Sequence, residues 1–133
     1  MTTSHDLGTL IARLFLGVLF LMAGLGKLGD VQGFAGYMAS GGIPAFLAWP
    51  AILFEIFAGL ALIVGFQTRL AALALAGFCL VTGLLYHFVP ADQMQMTMLF
   101  KNVGLAGGYL ALAVLGAGRF SVDARGGARL ATA

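Results

Sequence analysis

Five polar side chains lie in or beside long apolar stretches of this sequence, and they are its candidates for chemistry. An ionisable group inside a membrane-length apolar segment is energetically costly, so each is a candidate functional residue by default. As a set they offer hydrogen-bond donors, a carboxylate and an imidazole, which can bind a ligand with carbonyl oxygens and carry protons. Glu55 and His87 are the candidate proton carriers. The set consists of Lys27, Glu55, His87, Lys101 and Asn102.

Glu55 is the most informative of these residues because of its depth. It lies about 11 residues after Pro44, or roughly 16 Å along a helix axis, which is near the middle of a bilayer. A carboxylate there must be protonated, or paired and hydrogen-bonded. It either contacts a proton or ligand, or locks two helices together through Arg13, backbone or hydroxyl groups, and both roles can coexist. For Arg13 itself, extension of the guanidinium to the headgroups is modestly favoured over pairing with Glu55.

His87 has two interpretations at the end of its apolar segment. It can carry protons or bind a quinone carbonyl, or it can form an interfacial pair with Tyr86 that anchors the helix, which we slightly favour. No second His, Cys or carboxylate stands at ligand spacing, so no metal site is predicted. Cys79 is the single cysteine, which gives no CxxC pair and indicates a packing role.

The composition determines the class of protein that must position these residues. Of the 133 residues, 61% are hydrophobic and only 9% are charged, whereas soluble domains carry about 25% charged residues. A soluble domain and a disordered chain are therefore excluded, and a small integral membrane protein remains. The net charge of +2 comes from basic residues spread singly, so nucleic acid is not an expected partner.

Four segments are long and apolar enough to cross a bilayer about 30 Å thick. The sequence therefore predicts an all-α, antiparallel bundle of four transmembrane helices within residues 1–120, with Asp92 as the N-cap of the fourth helix. Residues 121–133 are expected to form a poorly ordered tail. The predicted spans are 7–28, 44–66, 69–89 and 96–116.

The distribution of Lys and Arg predicts the orientation of the bundle. The side that holds both termini has most of them, so both termini and the tail are predicted to be cytoplasmic. The opposite side has only Lys27 and Lys101. In that orientation Lys27, His87, Lys101 and Asn102 share the outer half with Glu55 beneath them, which predicts an outward-opening polar pocket. The basic residues on the terminal side are Arg13, Arg69, Arg119, Arg125 and Arg129.

Small residues indicate which helix faces look into the bundle. Gly104 and Gly108 have the spacing that permits close helix approach, and Asn102 is expected to hydrogen-bond across to another helix. On the first helix, one face carries charges and glycines together, so it should face its neighbours. That face consists of Arg13, Gly17, Phe20, Gly24 and Lys27.

Taken together, these segments resemble the DoxX family of small membrane proteins over nearly the whole chain. The resemblance implies four transmembrane helices in the bacterial inner membrane. Some members of that family are subunits of quinone-linked sulfur oxidoreductases, others belong to oxidative-stress complexes, and many have no assigned activity. This chain lacks the larger extra domain of some members, so the resemblance does not imply an enzyme that acts alone. The matching segments are Arg13–Gly17, Ala23–Lys27, Glu55–Gly65, Thr68–Ala72, His87, Lys101–Asn102, Gly107–Gly108 and Gly116–Asp123.

Three functions follow as hypotheses. The first is the membrane subunit of a quinone-linked redox complex, with quinone as the candidate cofactor and the five polar residues as its pocket. Because the chain has no flavin, iron–sulfur or haem motif, a partner redox protein would bring the electrons. The second is a non-catalytic membrane scaffold or anchor. The third is a small-solute permease, which would require a homo-oligomer because four helices are too few for a path within one chain.

Overall fold

The computed structural model describes residues 2–131, and the surroundings of side chains within residues 2–127. Within that part the chain is helical and contains no strand. A short 3₁₀ turn over Ala45–Leu47 leads directly into the third helix. The helices are α1 Thr3–Lys27, α2 Val31–Ser40, α3 Ala48–Val64, α4 Thr68–His87, α5 Gln93–Leu115 and α6 Val122–Ala131.

Four of these segments are long and apolar enough to cross a membrane, which confirms the predicted four-span, all-α architecture. Large apolar side chains such as Phe15, Phe57 and Val114 point away from the bundle. Such exposure is costly in water and favourable against acyl chains. The four segments are Thr3–Lys27, Ala45–Val64, Thr68–His87 and Gln93–Leu115.

The four spans form two tightly packed pairs, α1 with α3 and α4 with α5. Gly17 and Gly59 bring the backbones of α1 and α3 together. A Cβ atom added at Gly59 would lie 2.7 Å from both the backbone oxygen of Gly17 and the backbone nitrogen of Leu21. Close backbone approach through small residues is a main source of helix association in membranes. Tyr109 and Leu62 belong to the buried core between the pairs.

The predicted close approach at Gly104 and Gly108 is wrong. A Cβ atom at Gly104 would meet nothing within 4 Å, and one at Gly108 would make only ordinary contact with Leu16, at 3.6 Å. The small-residue spacing alone does not identify the neighbouring helix. The small residues of α5 lie where the two helix pairs are less tightly packed. The glycines in close backbone contact are those of α1 and α3.

The contrast between these glycines gives a prediction. Gly59→Ala should lower the free energy of unfolding by about 1–3 kcal/mol, because its Cβ overlaps backbone atoms that cannot move independently. Gly107→Ala is the matched control, since open space surrounds it and alanine favours a helix by about 1 kcal/mol. Unfolding by SDS titration in mixed micelles measures both. A Gly59→Ala protein as stable as Gly107→Ala would contradict this packing.

The segment between the first two spans forms helix α2, where the sequence interpretation had only a loop. The side chain of Asp30 caps it by accepting a hydrogen bond from the backbone N–H of Gly33, at 2.8 Å. Val31, Phe34 and Met38 recur at helical spacing and face the bundle, with Met38 buried. This end of the bundle is called the α2 end below.

Arg13 follows neither of its two predicted roles. Its side chain is only 1% exposed, so it does not reach the headgroups, and it does not pair with Glu55. Its Nη1 donates to the carbonyl of Ala117 at 2.7 Å, and its Nη2 donates to that of Phe120 at 2.8 Å. The chain after α5 folds back over the bundle end, and its carbonyls there lack helical partners. The guanidinium satisfies them, which the sequence did not indicate.

Residues 122–131 of the predicted tail form helix α6. The side chain of Asp123 accepts hydrogen bonds from the backbone N–H groups of Gln67 and Thr68, at 2.8 and 2.9 Å. It therefore caps α4, whose first N–H groups have no partner within the helix. Residues 132 and 133 of the predicted tail lie outside the described residues.

Candidate functional site

The five polar residues singled out in the sequence all line one cavity of about 400 Å³ at the α2 end. It lies between the two helix pairs, and all four spans and α2 contribute to its wall. Small-molecule sites are commonly about 300–1,000 Å³, with apolar walls and a few placed polar groups. The shared lining residues are Lys27, Glu55, His87, Lys101 and Asn102.

An ion pair between Glu55 and Lys27 is the central polar feature of the cavity. The Lys27 Nζ donates to Glu55 Oε2 at 2.8 Å, and the two side chains are 28% and 4% exposed. The ammonium group also lies 5.1 Å from the ring centroid of Phe34, in cation–π contact. The helix lock predicted for Glu55 therefore exists, but its partner is Lys27 and not Arg13. Arg13 has its carbonyl partners at the opposite end of the bundle.

The ion pair leaves one carboxylate oxygen available. Only Oε2 of Glu55 is hydrogen-bonded to a residue that the structure describes. Glu55 lines the cavity, so Oε1 is the acceptor that it offers to a ligand or a proton.

His87 is held by a residue that the sequence interpretation overlooked. Its Nδ1 lies 2.7 Å from Oε1 of Gln95, at the start of α5. An Nδ1–H that donates to this oxygen leaves Nε2 available to accept a hydrogen bond. Its neighbour Tyr86 has a different partner, since the Tyr86 hydroxyl donates to the carbonyl of Met38 at 3.0 Å.

Asn102 and Lys101 share the start of α5 but play different parts. The Nδ2 of Asn102 donates to the carbonyl of Cys79 at 3.3 Å, which confirms the predicted hydrogen bond across to another helix. Lys101 is exposed and makes no hydrogen bond or ion pair within residues 2–127. Its ammonium group is therefore a cation that the cavity can offer to a ligand without breaking an ion pair. Cys79 is buried in the core, in agreement with a packing role.

Helix α2 supplies a wall of the cavity that the sequence interpretation did not include. Phe34, Tyr37 and Met38 line it, and the rings of Tyr37 and Tyr86 stack with their centroids 4.8 Å apart. Together with the Tyr86–Met38 hydrogen bond, this stack holds α2 on α4. The sequence does contain a signal for this helix, since Asp30 followed by apolar residues at helical spacing is typical of a capped amphipathic helix.

Comparison with known proteins agrees with this architecture. The profile of the DoxX family matches residues 8–88. The chain is 41% identical to the inner membrane protein YqjF of Escherichia coli, over 92% of this chain and 95% of that protein. It is 33% identical to the E. coli inner membrane protein YphA, over 87% and 88%. It is also 28% identical to a Bacillus subtilis protein named "Putative oxidoreductase CatD", over 80% and 82%. No solved structure matches the chain.

Four membrane-length helices and close relatives in the inner membrane define the class, which is a multi-pass protein of the bacterial inner membrane. Within that class, the chain belongs to the DoxX family.

Proposed function

We propose that this protein is the membrane subunit of a quinone-linked redox complex and that the cavity at the α2 end binds the quinone ring. One observation carries the proposal. A single cavity joins a Glu55–Lys27 ion pair, an imidazole, an ammonium group and an amide within largely aromatic and aliphatic walls. A quinone needs this combination, because its ring is apolar and its carbonyl oxygens accept hydrogen bonds.

The donors and the ring faces have separate tasks in this proposal. Lys101 and Lys27 donate to carbonyl oxygens, while Phe34 and Phe78 provide surfaces for the ring. Asn102 has its amide nitrogen on the carbonyl of Cys79, so it orients α5 against α4 and fixes the direction of Lys101. These residues come from different helices, so the intact bundle is needed to assemble the site.

Glu55 and His87 are the proton carriers in this proposal. Reduction of a quinone consumes protons and electrons in equal number, and oxidation of the hydroquinone releases them. Glu55 and His87 both line the cavity, and Oε1 and Nε2 are their atoms that we assign to proton exchange with a ring oxygen. With both termini in the cytoplasm, as the Lys and Arg distribution predicts, these protons exchange on the outer side.

The electrons must come from a partner redox protein, because this proposal gives the chain no electron carrier other than the quinone. The B. subtilis relative carries the word oxidoreductase in its name, which supports this class of activity. A homo-oligomer is the alternative assembly, with each copy holding its own cavity.

Quinone binding by the purified protein tests the proposal. The hydroquinone form can donate its ring hydroxyls to Glu55, so Glu55→Gln should weaken hydroquinone binding about tenfold or more, since a hydrogen bond to a charged group contributes about 1.5–3 kcal/mol. His87→Ala removes the imidazole acceptor and should weaken hydroquinone binding several-fold. His5→Ala is the matched control at the other end of α1 and should bind as the unsubstituted protein does. Failure of the unsubstituted protein to bind quinone, or equal affinity in all variants, would contradict the proposal.

A further inference from the structure

We infer that the ligand of this cavity carries an apolar tail, and that the tail leaves the cavity sideways, between α1 and α5, into the acyl chains of the bilayer. The inference rests on the proposed function and specifies its ligand as an amphiphile with a polar ring and a lipid-soluble chain. The supporting observation is that α1 and α5 separate towards the α2 end.

Helices α1 and α5 meet near the middle of the bundle. The hydroxyl of Tyr109 donates to the carbonyl of Leu16 at 2.8 Å, and the rings of Phe20 and Tyr109 lie 5.8 Å apart. A Cβ atom at Gly108 would contact the Leu16 side chain at 3.6 Å. This crossing closes the bundle at that level.

Beyond the crossing, towards the α2 end, side chains of both helices border the cavity. Ala23 is two turns after Leu16 on the same face of α1, and Lys101 is two turns before Gly108 on the same face of α5. The helices run antiparallel, so Ala23 and Lys101 lie at one level on opposite walls. We define the α1–α5 cleft as Leu19, Ala23, Lys27, Lys101 and Leu105, all of which line the cavity.

The rim of this cleft faces the surroundings of the bundle. Leu19 lines the cavity and is nevertheless 41% exposed, and Lys101 is exposed as well. A Cβ atom at Gly104, beside the cleft on α5, would also meet nothing within 4 Å. The cleft is therefore open between the polar site and the lipid-facing surface.

The outer end of the cavity differs from the cleft. There α2 lies across it with Phe34, Tyr37 and Met38, and Tyr86 holds α2 in place by stacking and a hydrogen bond. A tail directed that way would meet a packed aromatic wall. A tail directed through the cleft passes between apolar side chains into hydrocarbon, where each buried CH₂ contributes about 0.8 kcal/mol.

The charges of the cavity indicate the polar end of the amphiphile. Two lysines and one carboxylate leave a balance of one positive charge, and Lys101 is the lysine of the cavity that has no ion pair among the described residues. Electron-rich oxygens on the ring would therefore sit towards Lys101, at the cleft, with the tail attached on that side of the ring.

Two probes test the inference, a benzoquinone with a decyl tail and the same benzoquinone with a methyl group in place of the tail. Ala23→Phe fills the cleft and should weaken binding of the tailed probe about tenfold, with less than about a twofold change for the tail-less probe. Leu105→Trp narrows the cleft from the opposite wall and should have the same effect on each probe as Ala23→Phe. Ala111→Phe is the matched control on the lipid-facing side of α5 and should alter neither affinity.

The outcomes distinguish the inference from the proposed function. Equal losses for both probes in Ala23→Phe and Leu105→Trp, or no loss in either variant, would overturn the tail route while leaving the ring site in place. If the unsubstituted protein binds neither probe, the proposed function falls and this inference falls with it.

Discussion

Replacement of Lys27 by methionine is expected to lower the free energy of unfolding by about 2–5 kcal/mol, because it leaves the carboxylate of Glu55 buried without its cation. Methionine retains most of the volume, so the loss reports the charge. The double variant Lys27→Met/Glu55→Leu should recover most of the loss, since an apolar pair of similar size avoids burying a charge at all. SDS titration of the purified proteins measures the three stabilities.

Lys101→Met is the matched control for this pair. This variant also removes a lysine ammonium group from the cavity. Because Lys101 is exposed and unpaired among the described residues, the free energy of unfolding should change by no more than about 0.5 kcal/mol. If Lys27→Met and Lys101→Met destabilise equally, or if the double variant is no more stable than Lys27→Met, the ion pair is not the element that holds α1 and α3 together at this level.

Replacement of Arg13 by glutamine should have the other large effect, at the opposite end of the bundle. The guanidinium donates to the carbonyls of Ala117 and Phe120, and each buried acceptor left without a donor costs about 1–3 kcal/mol. Glutamine is shorter and cannot serve both, so the free energy of unfolding should fall by about 3 kcal/mol or more. The segment after α5 should also become cleavable by protease in detergent micelles.

Arg119→Gln supplies the control, since Arg119 is exposed and lies in the same segment. It should leave both the stability and the protease pattern unchanged. Arg13→Gln protein with unaltered stability and an uncleaved tail would show that Asp123 and its two hydrogen bonds to the start of α4 are sufficient to hold the segment.

The four spans and the composition of the polar site were predictable from the sequence, because each depends on a strong constraint. A bilayer fixes the length of an apolar helix, and it makes every ionisable residue within that helix conspicuous. Residues such as Glu55 and His87 stand out on that ground alone. The antiparallel order of the spans then brings residues near one end of the bundle to a common level.

The partners of these residues were less predictable, because pairing depends on the rotation and tilt of each helix. Arg13 was the one cation predicted as a partner of Glu55, whereas the packing of α1 on α3, with Gly17 against Gly59, places Lys27 beside it. The role of Arg13 depends on where the chain goes after α5, which no span pattern specifies. For the same reason, small-residue spacing wrongly predicted a close helix approach at Gly104.

Helix α2 is a different case, since the sequence contains the signals of a helix there but the interpretation did not use them. Gly29–Asp30 and Gly41–Pro44 are the breaks that predict a loop between the first two spans, yet Asp30 caps a helix whose apolar face covers the cavity. Tertiary contact with Tyr86 compensates for the low helix propensity of glycine.

Photo-crosslinking of a ring-labelled quinone to the purified protein tests most directly whether the cavity at the α2 end binds the ring. A benzoquinone with a diazirine on the ring should label residues of the cavity wall, such as Phe34, Phe78 and Tyr86, and excess unlabelled quinone should suppress that labelling. Labelling confined to lipid-facing residues such as Phe15 and Val114, or labelling that unlabelled quinone does not suppress, would contradict the account.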